Sequence, residues 1–160
     1  MTANHLLLGF IYGASVSVIS WIIGMILNSL LMKTEYYQKL SNLNFIESKT
    51  WNERIGIKYF KWIVKNTFFK FFNQSIKVKN KATDLNDIRN EMTISEISHL
   101  IGFAFVVIVA LYQTINVSLI FGLAMMIPNI FLNLYPSLLQ QENKRRIDKV
   151  ISRQTAVVNR

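Results

Sequence analysis

The run Leu100–Leu139 constrains this chain more than any other feature. It holds forty residues without one Lys, Arg, Asp, Glu or His. A crossing helix needs about 20 apolar residues, so the run provides two crossings. Tyr112–Asn116 (Tyr-Gln-Thr-Ile-Asn) is the only polar break in which to turn. The reading is a transmembrane hairpin with crossings at 97–112 and 117–139. Its polar flanks, Ile88–His99 (IRNEMTISEISH) and Gln140–Ile147 (QQENKRRI), then return to the same side of the membrane. Pro128 and Pro136 lie inside the second crossing. Each removes a backbone donor and predicts a kink, which membrane helices tolerate where neighbours satisfy the freed carbonyls.

A second apolar stretch, Leu6–Met32, runs for 27 residues without a charge. No Lys or Arg precedes it and no small-residue cleavage site follows, so it reads as a retained helix, not a signal peptide. Lys33 follows it directly, and basic residues favour the cytoplasmic side. Gly9, Gly13 and Gly24 are small positions that another helix could approach closely, or else ordinary transmembrane glycines. The fold class expected is all-α: an integral membrane protein with three transmembrane helices and one basic amphipathic interfacial helix. Residues 1–160 are expected to form a single membrane domain in the bacterial cytoplasmic (inner) membrane, N-terminus out and C-terminus in.

The formal net charge of +9 invites a nucleic-acid reading, but its distribution argues against one. All 18 Lys and Arg fall within 33–95 or 140–160, flanking the apolar runs. That is the positive-inside pattern, so the expected partners are membrane lipids and no nucleic acid, with an oligomer or membrane-complex partner left open. The chain has no cysteine, which excludes thiol catalysis and cysteine–metal sites. Within 33–95, the stretch 55–76 (IGIKYFKWIVKNTFFKFFNQSI) sets Lys58, Lys61 and Lys65 on one helical face among aromatic and aliphatic residues. Such a helix lies in the headgroup plane. Lys77–Asn90 reads as a loop, with Thr93 or Ser95 as the next cap, or else with a helix already starting near Leu85. Residues 140–160 read as a basic cytoplasmic tail.

The chemistry-bearing residues cluster at the mouth of the hairpin. Glu96 and His99 are spaced i, i+3 and share a helical face. Glu91 stands eight residues before His99, about 80° away on an ideal helix. Ionisable groups entering hydrocarbon are costly and usually face the bundle interior. The returning helix carries Asn129, Asn133, Ser137 and Gln140, continued by Asn143 and Arg146. Histidine is the usual base near neutral pH. One chemistry that fits has His99 take a proton from an acceptor hydroxyl, oriented by Glu96 or Glu91, so that the hydroxyl attacks an activated acyl group. Asn133, Gln140, Asn143 and Arg146 would contact the reacting head or an anionic donor. A divalent metal at Glu91, Glu96 and His99 is a second arrangement, short of ligands because the only other histidine is His5. A third is a non-catalytic face that binds lipid or a protein complex.

The pattern Glu-x4-Glu-x-x-His, an apolar hairpin, then Asn-x6-Gln-x-x-Asn-x-x-Arg resembles the glycosyl-4,4′-diaponeurosporenoate acyltransferase family. The resemblance rests on Glu91, Glu96 and His99, then Asn133, Gln140, Asn143 and Arg146, and extends loosely to Asn44-Phe45, Trp51 and Lys61-Trp62. It implies a small membrane acyltransferase that esterifies the sugar hydroxyl of a carotenoid glycoside with a fatty acyl chain. It implies no firm cofactor; acyl-CoA or another acyl donor would supply the acyl group.

Overall fold

The structure is a computed structural model that describes residues 2–45, 54–67 and 84–158, with side chains to 156. The described residues are helices joined by turns, without strands. In chain order they are α1 (Thr2–Leu31), α2 (Tyr37–Leu40), α3 (Ile57–Asn66), α4 (Leu85–Asn116), α5 (Leu119–Asn129), a π-helical turn (Ile130–Leu134) and α6 (Tyr135–Val158). Three helical stretches are long and apolar enough to cross a membrane: Thr2–Leu31, Leu85–Asn116 and Leu119–Ala156. The protein is thus an all-α membrane protein.

Chain contacts divide it into two compact units: Met1–Gln38 with Ile97–Ser137, and Lys39–Glu96 with Leu138–Arg160. In the first unit, α1 packs along the hairpin. Its buried residues are Gly9, Gly13, Ser17, Ser20, Gly24 and Asn28, all small or polar. Lipid tails are as apolar as leucine, so membrane helices associate through close backbone approach and polar contacts. Leu7 and Ile22, on the remaining surface, are 61% and 57% exposed. A Cβ at Gly13 would sit 2.5 Å from the Met125 Cα, and one at Gly24 2.2 Å from the Ser98 carbonyl oxygen. The three glycines expected to admit a neighbouring helix therefore do so. His5 Nδ1 lies 2.9 Å from Ser118 Oγ at the hairpin turn, and Asn28 Nδ2 donates to Ser98 Oγ at 3.1 Å near its mouth. These two contacts fix the direction of α1 along the hairpin.

The hairpin turn falls at Val117–Ser118, later than the polar break suggests. Thr114 Oγ1 donates to the Ala110 carbonyl and Asn116 Nδ2 to the Tyr112 carbonyl. The polar side chains fold back on their own helix, so α4 continues through them to Asn116. Ser118, in extended backbone, then caps α5 by accepting from the Phe121 N–H at 3.2 Å.

In the second unit, α4 begins at Leu85, where Asp84 Oδ1 accepts from the Asn86 N–H at 2.8 Å. Thr93 is not a cap; it lies inside the helix and its hydroxyl donates to the Arg89 carbonyl. The expected interfacial helix 55–76 is seen as α3 over Ile57–Asn66, with Ile57 fully buried; residues 68–76 and Trp51 lie outside the described residues. Residues 140–158, expected as a tail, continue the helix α6.

Candidate functional site

Each unit gathers its own polar cluster. In the first, the π-helical turn is where the second crossing departs from α geometry. The Tyr135 N–H reaches back to the Ile130 carbonyl. A proline ring clashes with the carbonyl four residues before it and brings no N–H. Widening the turn ahead of Pro136 relieves that clash. The carbonyl four residues before Pro136 is that of Leu132, and the Trp21 indole Nε1 donates to it at 3.2 Å.

The same turn carries Asn133, which is fully buried. Its Nδ2 donates to Ser20 Oγ at 3.1 Å and to Asn129 Oδ1 at 2.9 Å. Asn129 Nδ2 in turn donates to the Phe103 carbonyl across the hairpin at 3.2 Å. With both amide hydrogens engaged, Oδ1 remains the acceptor end of Asn133, and this carboxamide stands beside the His99 imidazole. His99 Nδ1 and Asn133 Oδ1 are both buried without a completed hydrogen bond, as are Ser17 Oγ and Ser137 Oγ. The edge of Trp21 meets the imidazole, ring centroids 6.1 Å apart and planes at 83°. Gly102 makes room for the cluster, since a Cβ there would come 3.0 Å from both Asn133 Oδ1 and Ser20 Oγ. Also within this unit, Leu27, Leu30, Leu31, Thr34 and Ile101 line an open, mainly apolar depression of about 400 Å³.

In the second unit the centre is Glu96, fully buried. Its Oε1 accepts from Gln141 Nε2 at 2.9 Å, and its Oε2 forms an ion pair with Lys144 Nζ. Lys144 is only 3% exposed and also donates to the Ser41 carbonyl at 2.8 Å. A carboxylate and an ammonium out of water are tolerated when paired and supplied with further hydrogen bonds. Both conditions hold here. Arg89 pairs with Asp148 at 2.6 Å, and Arg146 pairs with Glu142 one turn away on α6. Partial burial holds the Lys61 ammonium of α3 below the usual lysine value, with the nearby Arg146 charge acting in the same direction.

The residues singled out in the sequence separate accordingly. His99 and Asn133 come together in the first unit. Glu96, Gln140, Asn143, Arg146 and Glu91 belong to the second. Glu91 is exposed and makes no hydrogen bond or ion pair among the described residues. Gln140 is buried and accepts a long bond from Asn143 Nδ2, 3.4 Å. Arg146 is exposed, its guanidinium turned to Glu142. Among the described residues no three His, Asp or Glu side chains converge to hold a metal ion. The metal reading at Glu91, Glu96 and His99 therefore lacks a ligand set: Glu91 faces outward and Lys144 occupies the Glu96 carboxylate.

Sequence reasoning missed Gln141 and Lys144. Past Ser137 the polar row advances in three-residue steps to Gln140, Asn143 and Arg146, whereas about 3.6 residues per turn counted from Ser137 leads to Gln141 and Lys144. The signal that could have found them was charge: a buried Glu96 needs a cation, and Lys144 is one turn beyond Gln141 on the returning helix.

Three membrane-length helices, with a histidine–asparagine cluster buried in one unit and an ion pair buried in the other, define a small polytopic membrane protein. A family model described as glycosyl-4,4′-diaponeurosporenoate acyltransferase matches residues 33–153. The chain belongs to this acyltransferase family. No curated protein and no solved structure matches it.

Proposed function

We propose that the protein is a membrane-bound acyltransferase that moves a fatty acyl chain to a hydroxyl of a lipid or glycolipid acceptor, of the carotenoid-glycoside kind, at the cytoplasmic surface of the bacterial inner membrane. His99 is the general base. An imidazole Nδ1–H directed at Asn133 Oδ1 leaves the Nε2 lone pair free for the acceptor hydroxyl proton. The deprotonated oxygen attacks the acyl carbonyl, the bond to the donor's leaving group breaks, and the imidazolium returns the proton to that group. Asn133 is the orienting group. Glu91, exposed, and Glu96, engaged by Gln141 and Lys144, take no part in the proton transfer. Gln140, Asn143 and Arg146, all within the second unit, are assigned as contacts for a polar head group, Arg146 suiting an anionic one. The apolar depression at Leu27 and Ile101 is open to an acyl chain.

The observation carrying this reading is the pairing of family membership with a His99 ring set beside an Asn133 amide that two donated bonds hold in one orientation. The test is lipid analysis of a strain lacking the protein, complemented with wild type or with His99→Ala. Wild type restores one lipid that otherwise lacks a single acyl group, and His99→Ala, present and folded, does not. Restoration by His99→Ala would overturn the base assignment. No acyl-deficient lipid in the deletion strain would favour a non-catalytic protein that binds lipid or a complex.

A further inference from the structure

The segment that follows α2 is held in an unusual way. Four of its five residues, Ser41 to Phe45, are gripped by side chains of α4 and α6. Lys144 Nζ donates to the Ser41 carbonyl at 2.8 Å, and Arg89 NH2 to Asn42 Oδ1 at 2.9 Å. Arg145 donates to Asn44 Oδ1, and Gln141 Oε1 accepts from the Phe45 N–H at 3.0 Å. The two buried anchors, Lys144 and Gln141, also hold the two oxygens of Glu96. All of these groups lie within one compact unit.

We infer that Glu96, Gln141 and Lys144 are positioning residues that lock the Ser41–Phe45 strap against the stretch of α6 bearing Gln140, Asn143 and Arg146.

The chemistry supports a lock over a surface contact. Exposed ion pairs contribute little. A buried carboxylate with a cation and an amide on its two oxygens has one satisfied arrangement, so it fixes geometry. Lys144 serves two acceptors at once, a carboxylate and a main-chain carbonyl. Removing it strands both. Gln141 presents its amide NH2 to Glu96 and its carbonyl to Phe45 N–H, so the orientation of that amide is dictated from both ends. Arg89 and Arg145 are more exposed and add register. The strap therefore has a hard centre at Ser41 and Phe45 and softer grips between them.

The consequence for activity rests on the acyltransferase reading. Loosening the strap disturbs the face that carries the head-group contacts, while the His99–Asn133 pair belongs to the other unit. The expected kinetic signature is a rise in KM with kcat retained.

The chain lacks native cysteine, so Leu43→Cys in the full-length protein in lipid nanodiscs takes a single nitroxide label. The spectrum is expected to be strongly immobilised. Lys144→Met, and the charge-neutral pair Glu96→Gln with Lys144→Met, release a mobile component, and Lys144→Arg restores the immobilised one. The paired variant guards against simple misfolding, because neither buried charge is left alone. In the transfer assay the paired variant raises KM several-fold at near-unchanged kcat, and Lys144→Arg recovers the lower KM. An unchanged spectrum in a paired variant that stays helical by circular dichroism overturns the lock, as does a mobile label already in the wild type. A fall in kcat at constant KM overturns the positioning role. If wild type transfers no acyl group, the enzymatic reading fails while the spectra still decide the lock.

Discussion

At the scale of single residues, two positions concentrate the consequences of packing polar groups beside lipid. Asn133 donates to Ser20 and Asn129 from one carboxamide, which stands beside His99. Asn133→Leu preserves volume roughly but leaves the Ser20 hydroxyl and the Asn129 carbonyl without their donor. A buried group stripped of its partner costs about 1–3 kcal/mol, so the variant should melt earlier in detergent than wild type. On the proposed mechanism its kcat should also fall, because the imidazole loses the amide assigned to orient it. A variant with lowered stability and unaltered kcat would sever Asn133 from the chemistry. Gly24 is the second position. Its missing Cβ is all that separates α1 from the Ser98 carbonyl, and that carbonyl is backbone, which cannot swing aside. Gly24→Ala should cost on the order of 1–3 kcal/mol through overpacking, seen as a lowered melting temperature. The same substitution at an outward-facing α1 site such as Ser15 should be nearly silent.

At the scale of elements, the long helices are legible in the sequence, and the register of polar residues along them is not. The apolar runs 6–32 and 100–139 announced the long helices, because forty uncharged residues have few other solutions. The small-residue face of α1 was equally legible, since Gly9, Gly13 and Gly24 all fall on it. The kink promised by Pro128 and Pro136 took the form of a five-residue turn at Ile130–Leu134. That form is invisible to helical periodicity, which assumes one spacing throughout. Beyond Ser137 burial falls on Gln140, as the sequence row has it, and on Gln141 and Lys144, while three-residue steps lead on to the less buried Asn143 and Arg146. Of the two starts open for α4, the structure shows the one near Leu85; Thr93 and Asn116 each bond a carbonyl one turn back, and the helix runs through both. The donor that Pro136 cannot supply comes from another helix, through Trp21 and the Leu132 carbonyl. Trp21→Phe keeps the ring against His99 but removes that donor. The expected loss is about 1 kcal/mol, the usual size of interhelical hydrogen bonds in membranes. Thermal unfolding in detergent measures it, and a loss no greater than that of Trp62→Phe, an exposed control on α3, would remove the role assigned to the indole.

At the scale of the whole molecule, the distribution of charge and the path of the helices converge on one topology. Every Lys and Arg lies in 33–95 or 140–160, and Lys and Arg near membrane helices bias their loops to the cytoplasm. On that rule both flanks of the hairpin are expected on the cytoplasmic side. Its turn at Val117–Ser118 is then expected on the outer side, together with the start of α1, which reaches that turn through His5 and Ser118. The hydrogen bond places the start of α1 at the hairpin turn whichever way the bundle faces. From His5 to Trp21, which meets His99, is sixteen residues of helix, about 24 Å at 1.5 Å per residue, so the two histidines mark opposite ends of one bundle. Because the chain has no cysteine, single substitutions Asn4→Cys, Asn116→Cys and Ser152→Cys can be probed in intact cells with a membrane-impermeant maleimide. Asn4→Cys and Asn116→Cys should label from outside, and Ser152→Cys only after the membrane is opened. Labelling of Asn4→Cys without Asn116→Cys would break the hairpin itself. Labelling of Ser152→Cys alone would keep the fold but turn it over, moving His99 to the outer surface, away from any acyl donor made in the cytoplasm.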